Sequence, residues 1–306
     1  MSTKKTEVPA PAIETKKKIE KTPLDNFLIK NDVLLMLYSK SKSGDFYFSI
    51  TPEDEIEIYN LLKKRNPKKK SLLIFLDTPG GNVYSAVKIM NMLREYYQNI
   101  TIGVAQEAKS SGTMMCLGAN NIIMSNASEL GPLDKPLPHP NDETSIISAL
   151  DIVRSLDTII DIASVKQEKL AQELINNFRI RQDRALEISG DSISELISPL
   201  LCKEDSKVYN QAMRLLKMGE VYGRTFLTKY GHSWITKESL RTRITDSVLR
   251  KIIWDYPDHN FAICRDEVQE ELFLLVENSE QKKYWPELWS KFERTVGIKG
   301  KVIKFL

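Results

Sequence analysis

Cysteine and histidine are scarce in this chain of 306 residues, with three of each. Cys116, Cys202 and Cys264 lie far apart and show no Cys-x-x-Cys spacing, which argues against a disulfide framework and a cysteine-based zinc site. His139, His232 and His259 are equally scattered, without ligand spacing, so neither a metal nor a cofactor is expected. No run reaches the ~18–20 apolar residues of a membrane span. The first residues, MSTKKTEVPAPAIETKKK, lack the apolar stretch of a secretory leader. Stable membrane insertion and secretion are therefore not expected, and the cytoplasm is the expected compartment. An ATPase motif is also missing, so any unfolding of large substrates would need a partner.

Excess charge is confined to one end. Residues 1–30 hold seven Lys and four acids, and the other 276 residues carry 37 basic and 37 acidic side chains. The folded body is neutral, and nucleic acid is not an expected partner. Residues 1–23 have Pro, Ala, Thr and Lys but few large apolar side chains, the composition of a disordered solubilising tail.

What is present is a succession of short apolar runs and glycine turns. Residues 32–38 (DVLLMLY) and 45–50 (DFYFSI) read as strands around a turn with Lys42, Ser43 and Gly44. A helix opens at Thr51-Pro52-Glu53-Asp54-Glu55 and closes at Lys63-Lys64-Arg65, charges that suit its dipole. SLLIFLD (71–77), ITIGVA (100–105) and NIIMS (121–125) are continuous apolar runs, as expected of strands covered on both faces. Between them, Val83, Ala86, Val87, Met90 and Leu93 recur at helical spacing, and TMMCLGA reads as a short buried helix carrying Cys116 as a core residue. Strand, helix, strand, helix, strand predicts βαβ crossovers and a largely parallel sheet. A proline-rich loop, Pro132 to Pro140, follows. Residues 144–188 then form one long amphipathic pattern ending at Ser189-Gly190-Asp191, read as a bent helix or two helices. Further helices are expected near 205–229, 236–253 and 265–277. The last ten residues read as a short strand or a loose tail, and Trp254, Trp285, Trp289 and Phe292 as core or interface.

Two glycine turns join a buried strand to a helix. In Asp77-Thr78-Pro79-Gly80-Gly81-Asn82 the glycines let the backbone turn sharply and leave N–H groups unshielded. At a helix start such groups are unpaired and can bind a developing negative charge. In Lys109-Ser110-Ser111-Gly112-Thr113 a serine hydroxyl stands at the positive end of a helix, a suitable place for a nucleophile whose attack creates an oxyanion. Each turn alone is a common one; the pair, one strand unit apart, is more specific.

Residues 71–137 resemble the Clp/crotonase superfamily of serine peptidases, and within it the serine dehydrogenase proteinase group, relatives of signal peptide peptidase A. That group shows a (D/H)TPGG turn, an S-(A/S)-G-T nucleophile turn and an LGP-(hydrophobic)-D turn, which occur here in order at 77–81, 110–113 and 130–134. A fainter echo occurs at Asp255-Tyr256-Pro257-Asp258-His259-Asn260-Phe261-Ala262-Ile263. The resemblance implies Ser110 as nucleophile, with Ser111 as its rival. It implies the N–H groups of Gly81 and Ser111 as the oxyanion hole, with Gly80 shaping the turn.

The general base departs from the family pattern. Caseinolytic proteases place a histidine just after the third strand, where this chain has Glu129-Leu130-Gly131-Pro132. Signal peptide peptidase relatives use a lysine, in some at the start of the next helix, where this chain has Asp151 and Arg154; arginine does not deprotonate in proteins. Lys135 and His139 in the proline-rich loop, and His259 if the C-terminal part folds back, remain the candidates. Lys109 should point away from Ser110, and His232, in a Lys-Tyr-Gly-His turn, should lie on the surface. Asp134 either orients a base or caps its loop.

The expectation is an α/β Clp/crotonase-like fold, with a largely parallel sheet of ββα and βαβ units and a helical C-terminal half. Its divisions are a tail at 1–23, an α/β core at 24–143 and a mainly helical part at 144–306 completing the same domain. The expected function is a serine peptidase acting on a peptide or protein substrate, assembled as a homo-oligomer. The alternative is a catalytically silent member of that fold that binds peptides or assembles a complex. The crotonase branch, which handles acyl-CoA thioesters, ranks lower because it uses no serine nucleophile.

Overall fold

The computed structural model describes residues 21–39, 48–134, 136–139, 142–202, 205–296 and 300–306. Residues 1–20 of the tail expected at 1–23, the turn at Lys42-Ser43-Gly44, residues 45–47 of the strand expected at 45–50, and Lys135 lie outside them.

Thr22 opens helix α1 (Pro23–Lys30) with a capping box shared with Asp25, and its hydroxyl donates to Glu287 at 2.8 Å. Strand β1 (Asp32–Tyr38) is buried along its whole length. Helix α2 (Pro52–Arg65) has the acidic start and basic end read from the sequence. Strand β2 (Ser71–Thr78), helix α3 (Val83–Tyr96), strand β3 (Asn99–Ala108), helix α4 (Ser111–Leu117) and strand β4 (Asn121–Met124) follow as the apolar runs predict.

These strands lie parallel in the order β1-β2-β3-β4. Both faces of the sheet are covered, so successive residues of one strand enter different cores. Leu34, Met36, Leu72, Ile74 and Leu76 pack with Ile58, Ala86, Met90 and Leu93 of α2 and α3. Val33, Leu35, Leu73 and Phe75 pack with Trp285, Leu288 and Phe292. Those three belong to helix α10 (Trp285–Val296) near the end of the chain.

The sequence gives less warning of the segments after β4. Strand β5 (Glu129–Leu130) pairs with β3, and β6 (Pro136–His139) forms an antiparallel hairpin with β7 (Asp142–Ser148). Residues 144–148, read as the first turn of a long helix, are thus strand. Helix α5 (Ala149–Phe178) starts with Ser148 as its cap, accepting from the Asp151 N–H. It ends at Arg179, whose left-handed backbone (φ 53°) reverses the chain without glycine. Helix α6 (Gln182–Leu201) then runs straight through Gly190, where a stop was expected. Only the Gln167 side chain lies near that position, at 3.4 Å from a notional Cβ, so nothing there forces the helix to end.

Helix α7 (Ser206–Phe226) continues into a π-helical turn at Leu227–Gly231, and α8 (Glu238–Arg250) into a second at Lys251–Asp255. Strand β8 (Ile263–Cys264) pairs antiparallel with β5. After α9 (Arg265–Glu270), strand β9 (Val276–Asn278) adds parallel to β4, so the helix expected over 265–277 is half as long and followed by strand. Strand β10 (Lys301–Phe305) closes the other side, antiparallel to β1. The whole is a mixed α/β fold with a largely parallel sheet and a helical C-terminal half.

Candidate active site

Three turns meet at the C-terminal ends of β2, β3 and β5. The Lys109 N–H donates to the Thr78 carbonyl at 3.0 Å, joining the Ser-Ser-Gly-Thr turn to the Thr-Pro-Gly-Gly turn. The Thr113 hydroxyl donates to the Gly131 carbonyl at 2.7 Å and accepts from the Gly131 N–H at 3.1 Å, joining the first of these to the Leu-Gly-Pro turn. Parallel strands with turns at their carboxyl ends make this convergence a consequence of topology.

Gly80 and Gly81 have φ of 111° and 136°, backbone that L side chains rarely adopt. The Gly80 carbonyl accepts from the Ile50 N–H, and the Asn82 N–H donates to the Ile50 carbonyl, both at 2.8 Å. In this parallel bridge the residue between them, Gly81, turns its own N–H away from Ile50. Asn82 caps α3, accepting from the Tyr84 and Ser85 N–H groups. Gly80 lies against the serine turn: a Cβ there would stand 2.9 Å from the Lys109 carbonyl and 3.1 Å from the Ser110 Cβ.

Ser110 precedes α4 with φ 47° and ψ −108°. A non-glycine residue in such backbone costs about 1–3 kcal/mol and persists only where its surroundings impose it. Here the Gly112 N–H donates to the Lys109 carbonyl at 2.7 Å and the Met114 N–H to the Ser110 carbonyl at 3.0 Å. The Ser110 hydroxyl is half-buried and donates at 3.5 Å to the Asp134 main-chain carbonyl, a long bond. Ser111 is the first residue of α4, so its N–H has no partner within the helix. Its side chain is buried, and among the described residues its Oγ has no hydrogen-bond partner.

The candidate bases fare differently. Lys135 lies outside the described residues; His139 is in β6, with only its backbone described. The Lys109 ammonium is engaged elsewhere than at Ser110 Oγ. It pairs with Glu129 at 2.6 Å and donates to the Asn260 and Phe261 carbonyls at 3.3 Å. Those carbonyls belong to the segment around His259, so the C-terminal part does fold back against the serine turn. Arg154, in α5, donates to the Trp254 and Tyr256 carbonyls of the same segment. His259 is half-buried, and among the described residues its Nδ1 is buried without a partner.

His232 is not on the surface. It is fully buried, with Nδ1 3.0 Å from the Thr245 hydroxyl and Nε2 2.9 Å from the Leu272 carbonyl. Burial holds its pKa below the ordinary value, and the polar look of its turn hid partners that are distant in sequence. The Asp134 carboxylate accepts from the Leu150 N–H at 3.1 Å and from Ser148, so it caps the start of α5. Asp77, at the head of the first turn, accepts from the Gln106 and Glu107 N–H groups at 3.0 and 3.1 Å, and burial lifts its pKa to about 6.

One wall of the site gave no sequence signal. A small cavity of about 20 Å³ adjoins Ser110, and Leu215, Met218 and Gly219 of α7 face it from a helix ~100 residues further along the chain. Their apolar spacing reads only as a buried helix face. Among the described residues no group of three or more His, Cys, Asp or Glu is placed to hold a metal ion. No helix among them is long and apolar enough to cross a membrane.

Residues 43–184 match the family of ClpP-like SDH-type serine proteinases, the group that the three turns resemble. Two proteins of Methanocaldococcus jannaschii, both described as uncharacterized, are similar. MJ0137 is 27% identical over 54% of this chain and 60% of its own length; MJ1495 is 31% identical over 29% and 30%. The matches thus span less than two thirds of either relative. Among solved structures, two of the 1510-N membrane-bound stomatin-specific protease are similar. A serine-to-alanine mutant has 20% identity and a TM-score of 0.30, over 45% of this chain and 64% of that one. A lysine-to-alanine mutant in complex with a substrate peptide has 23% and 0.29, over 46% and 62%.

Proposed function

We propose that this chain is a serine peptidase with Ser110 as its nucleophile. The observation that carries the reading is the strained backbone of Ser110 (φ 47°) at the meeting point of the three turns. Strain of this kind is maintained by the surrounding bonds and holds the hydroxyl at the mouth of α4. Ser110 Oγ attacks a peptide carbonyl, and the Gly81 and Ser111 N–H groups receive the oxyanion of the tetrahedral intermediate. Collapse expels the amine and leaves an acyl-enzyme, which water hydrolyses.

His259 is the base that the described residues favour. Its segment is held by Lys109, the residue next to Ser110, and among the described residues its Nδ1 is a buried group without a partner. Brought within hydrogen-bond reach of Ser110 Oγ, such an acceptor would take the serine proton and return it to the leaving amine. Lys135→Met, His139→Gln and His259→Gln are compared in a peptide-hydrolysis assay. The reading expects His259→Gln to cost ~10²–10⁴-fold in turnover and the other two little. A large loss confined to Lys135→Met or His139→Gln would move the base to the loop before α5.

A second reading, a silent peptide-binding or assembly protein, draws on one observation. Ser110 Oγ donates to a main-chain carbonyl, which cannot accept its proton. Peptide binding without covalent labelling by a serine-reactive phosphonate would favour that reading.

A further inference from the structure

At the cavity beside Ser110 the helical half of the chain meets the nucleophile turn through α7. Its walls are Val83, Met114 and Leu133 from the α/β half, and Leu215, Met218 and Gly219 from α7. Charged side chains are absent from this lining. The α7 residues lie beyond the stretch 43–184 that matches the family.

Its dimensions are restrictive. About 20 Å³ is room for little more than one water molecule or one methyl group. Gly219 helps keep it open: a Cβ there would stand no nearer than 3.5 Å to the Leu133 carbonyl, so a side chain would fit without a clash and would use up the space. Met218 is half-buried and unbranched, and its truncation enlarges the same space. Besides Ser110, the lining includes Ser111, whose hydroxyl is buried and has no partner among the described residues.

We propose that this cavity receives the substrate side chain on the acyl side of the cleaved bond, and that Met218 and Gly219 restrict it to small residues, alanine and serine. The inference rests on Ser110 as the nucleophile. A bulky or charged side chain finds no room and no counter-charge, whereas the alanine and serine side chains are small enough to enter.

The test uses peptidyl diphenyl phosphonates that differ only in the residue at this position, with an untargeted alkyl fluorophosphonate alongside. The expected result is that alanine and serine analogues label Ser110 at least ~10-fold faster than the leucine and lysine analogues. Met218→Ala should speed the leucine analogue by ~10-fold or more, and Gly219→Val should slow the alanine analogue without slowing a glycine analogue comparably. Melting curves establish that each variant is folded, and either variant alone carries the comparison. If the fluorophosphonate labels Ser110 but leucine or lysine analogues react as fast as alanine, the size restriction is overturned and the nucleophile stands. If no probe labels Ser110, the nucleophile reading fails, and the pocket assignment with it.

Discussion

Gly81→Ala probes the turn on which the oxyanion site depends. At φ 136° the added Cβ would lie 2.4 Å from the Ile50 carbonyl oxygen and 2.6 Å from the Ile50 nitrogen. Both are backbone atoms, pinned by the 2.8 Å bonds of Ile50 to Gly80 and Asn82, so neither can yield as a flexible side chain would. The unfavourable φ costs about 1–3 kcal/mol. The overlap adds roughly 1–3 kcal/mol, the usual range for overpacking. The sum, about 2–6 kcal/mol, is a large part of the ~5–15 kcal/mol that holds a domain together. At about 2–4 °C per kcal/mol the melting temperature should fall by roughly 4–24 °C. Gly190→Ala is the control: it lies inside α6 with only Gln167 nearby, and should gain about 0.5–1 kcal/mol. Calorimetric melting of both variants checks the pair. Gly81→Ala melting within a degree of the parent would refute the close approach to Ile50 and the aim of the Gly81 N–H derived from it.

Asp77→Asn addresses the buried carboxyl. Burial raises its pKa from 3.8 to about 6, so the folded protein binds this proton more tightly than the unfolded chain. The stabilisation from that proton is complete below about pH 4 and lost as pH rises through about 6, up to roughly 3 kcal/mol in all. Denaturant unfolding should show the variant gaining on the parent across this window; a constant difference would contradict the assignment. Thr113→Val removes the hydroxyl that bonds the Ala108 and Gly131 carbonyls and the Gly131 N–H. It should cost about 1–3 kcal/mol and slow labelling of Ser110, and a thermally neutral variant would count against the clamp. Lys109→Met leaves the Asn260 and Phe261 carbonyls without their donor and should raise amide exchange across 255–262. Unchanged exchange there would show that other contacts hold the segment.

The parts of the fold legible in the sequence are those whose pattern is local. SLLIFLD, ITIGVA and NIIMS are apolar on both faces and became β2, β3 and β4. The three turns carry their glycines in order and were placed together by parallel pairing. What stayed hidden depends on distant partners. Ile146 and Ile147 fit a helix pattern as well as a strand, and only the pairing of β7 with β6 decides for strand. The break between α5 and α6 uses Arg179 in a left-handed conformation, with no glycine to announce it. His232 lies in a polar-looking turn, yet its ring nitrogens meet groups 13 and 40 residues away. The hold of Lys109 on the His259 segment gave no signal either. The wall from α7 required the folded chain.

The central claim is that the Ser110 hydroxyl is the reacting group. The most direct measurement is the site of covalent modification by an alkyl fluorophosphonate, mapped by peptide mass spectrometry on the whole protein and on Ser110→Ala and Ser111→Ala. The account predicts one adduct on Ser110, lost in Ser110→Ala with the melting temperature unchanged, and retained in Ser111→Ala, which keeps the backbone N–H. An adduct on Ser111, or no adduct on the folded protein, would contradict it.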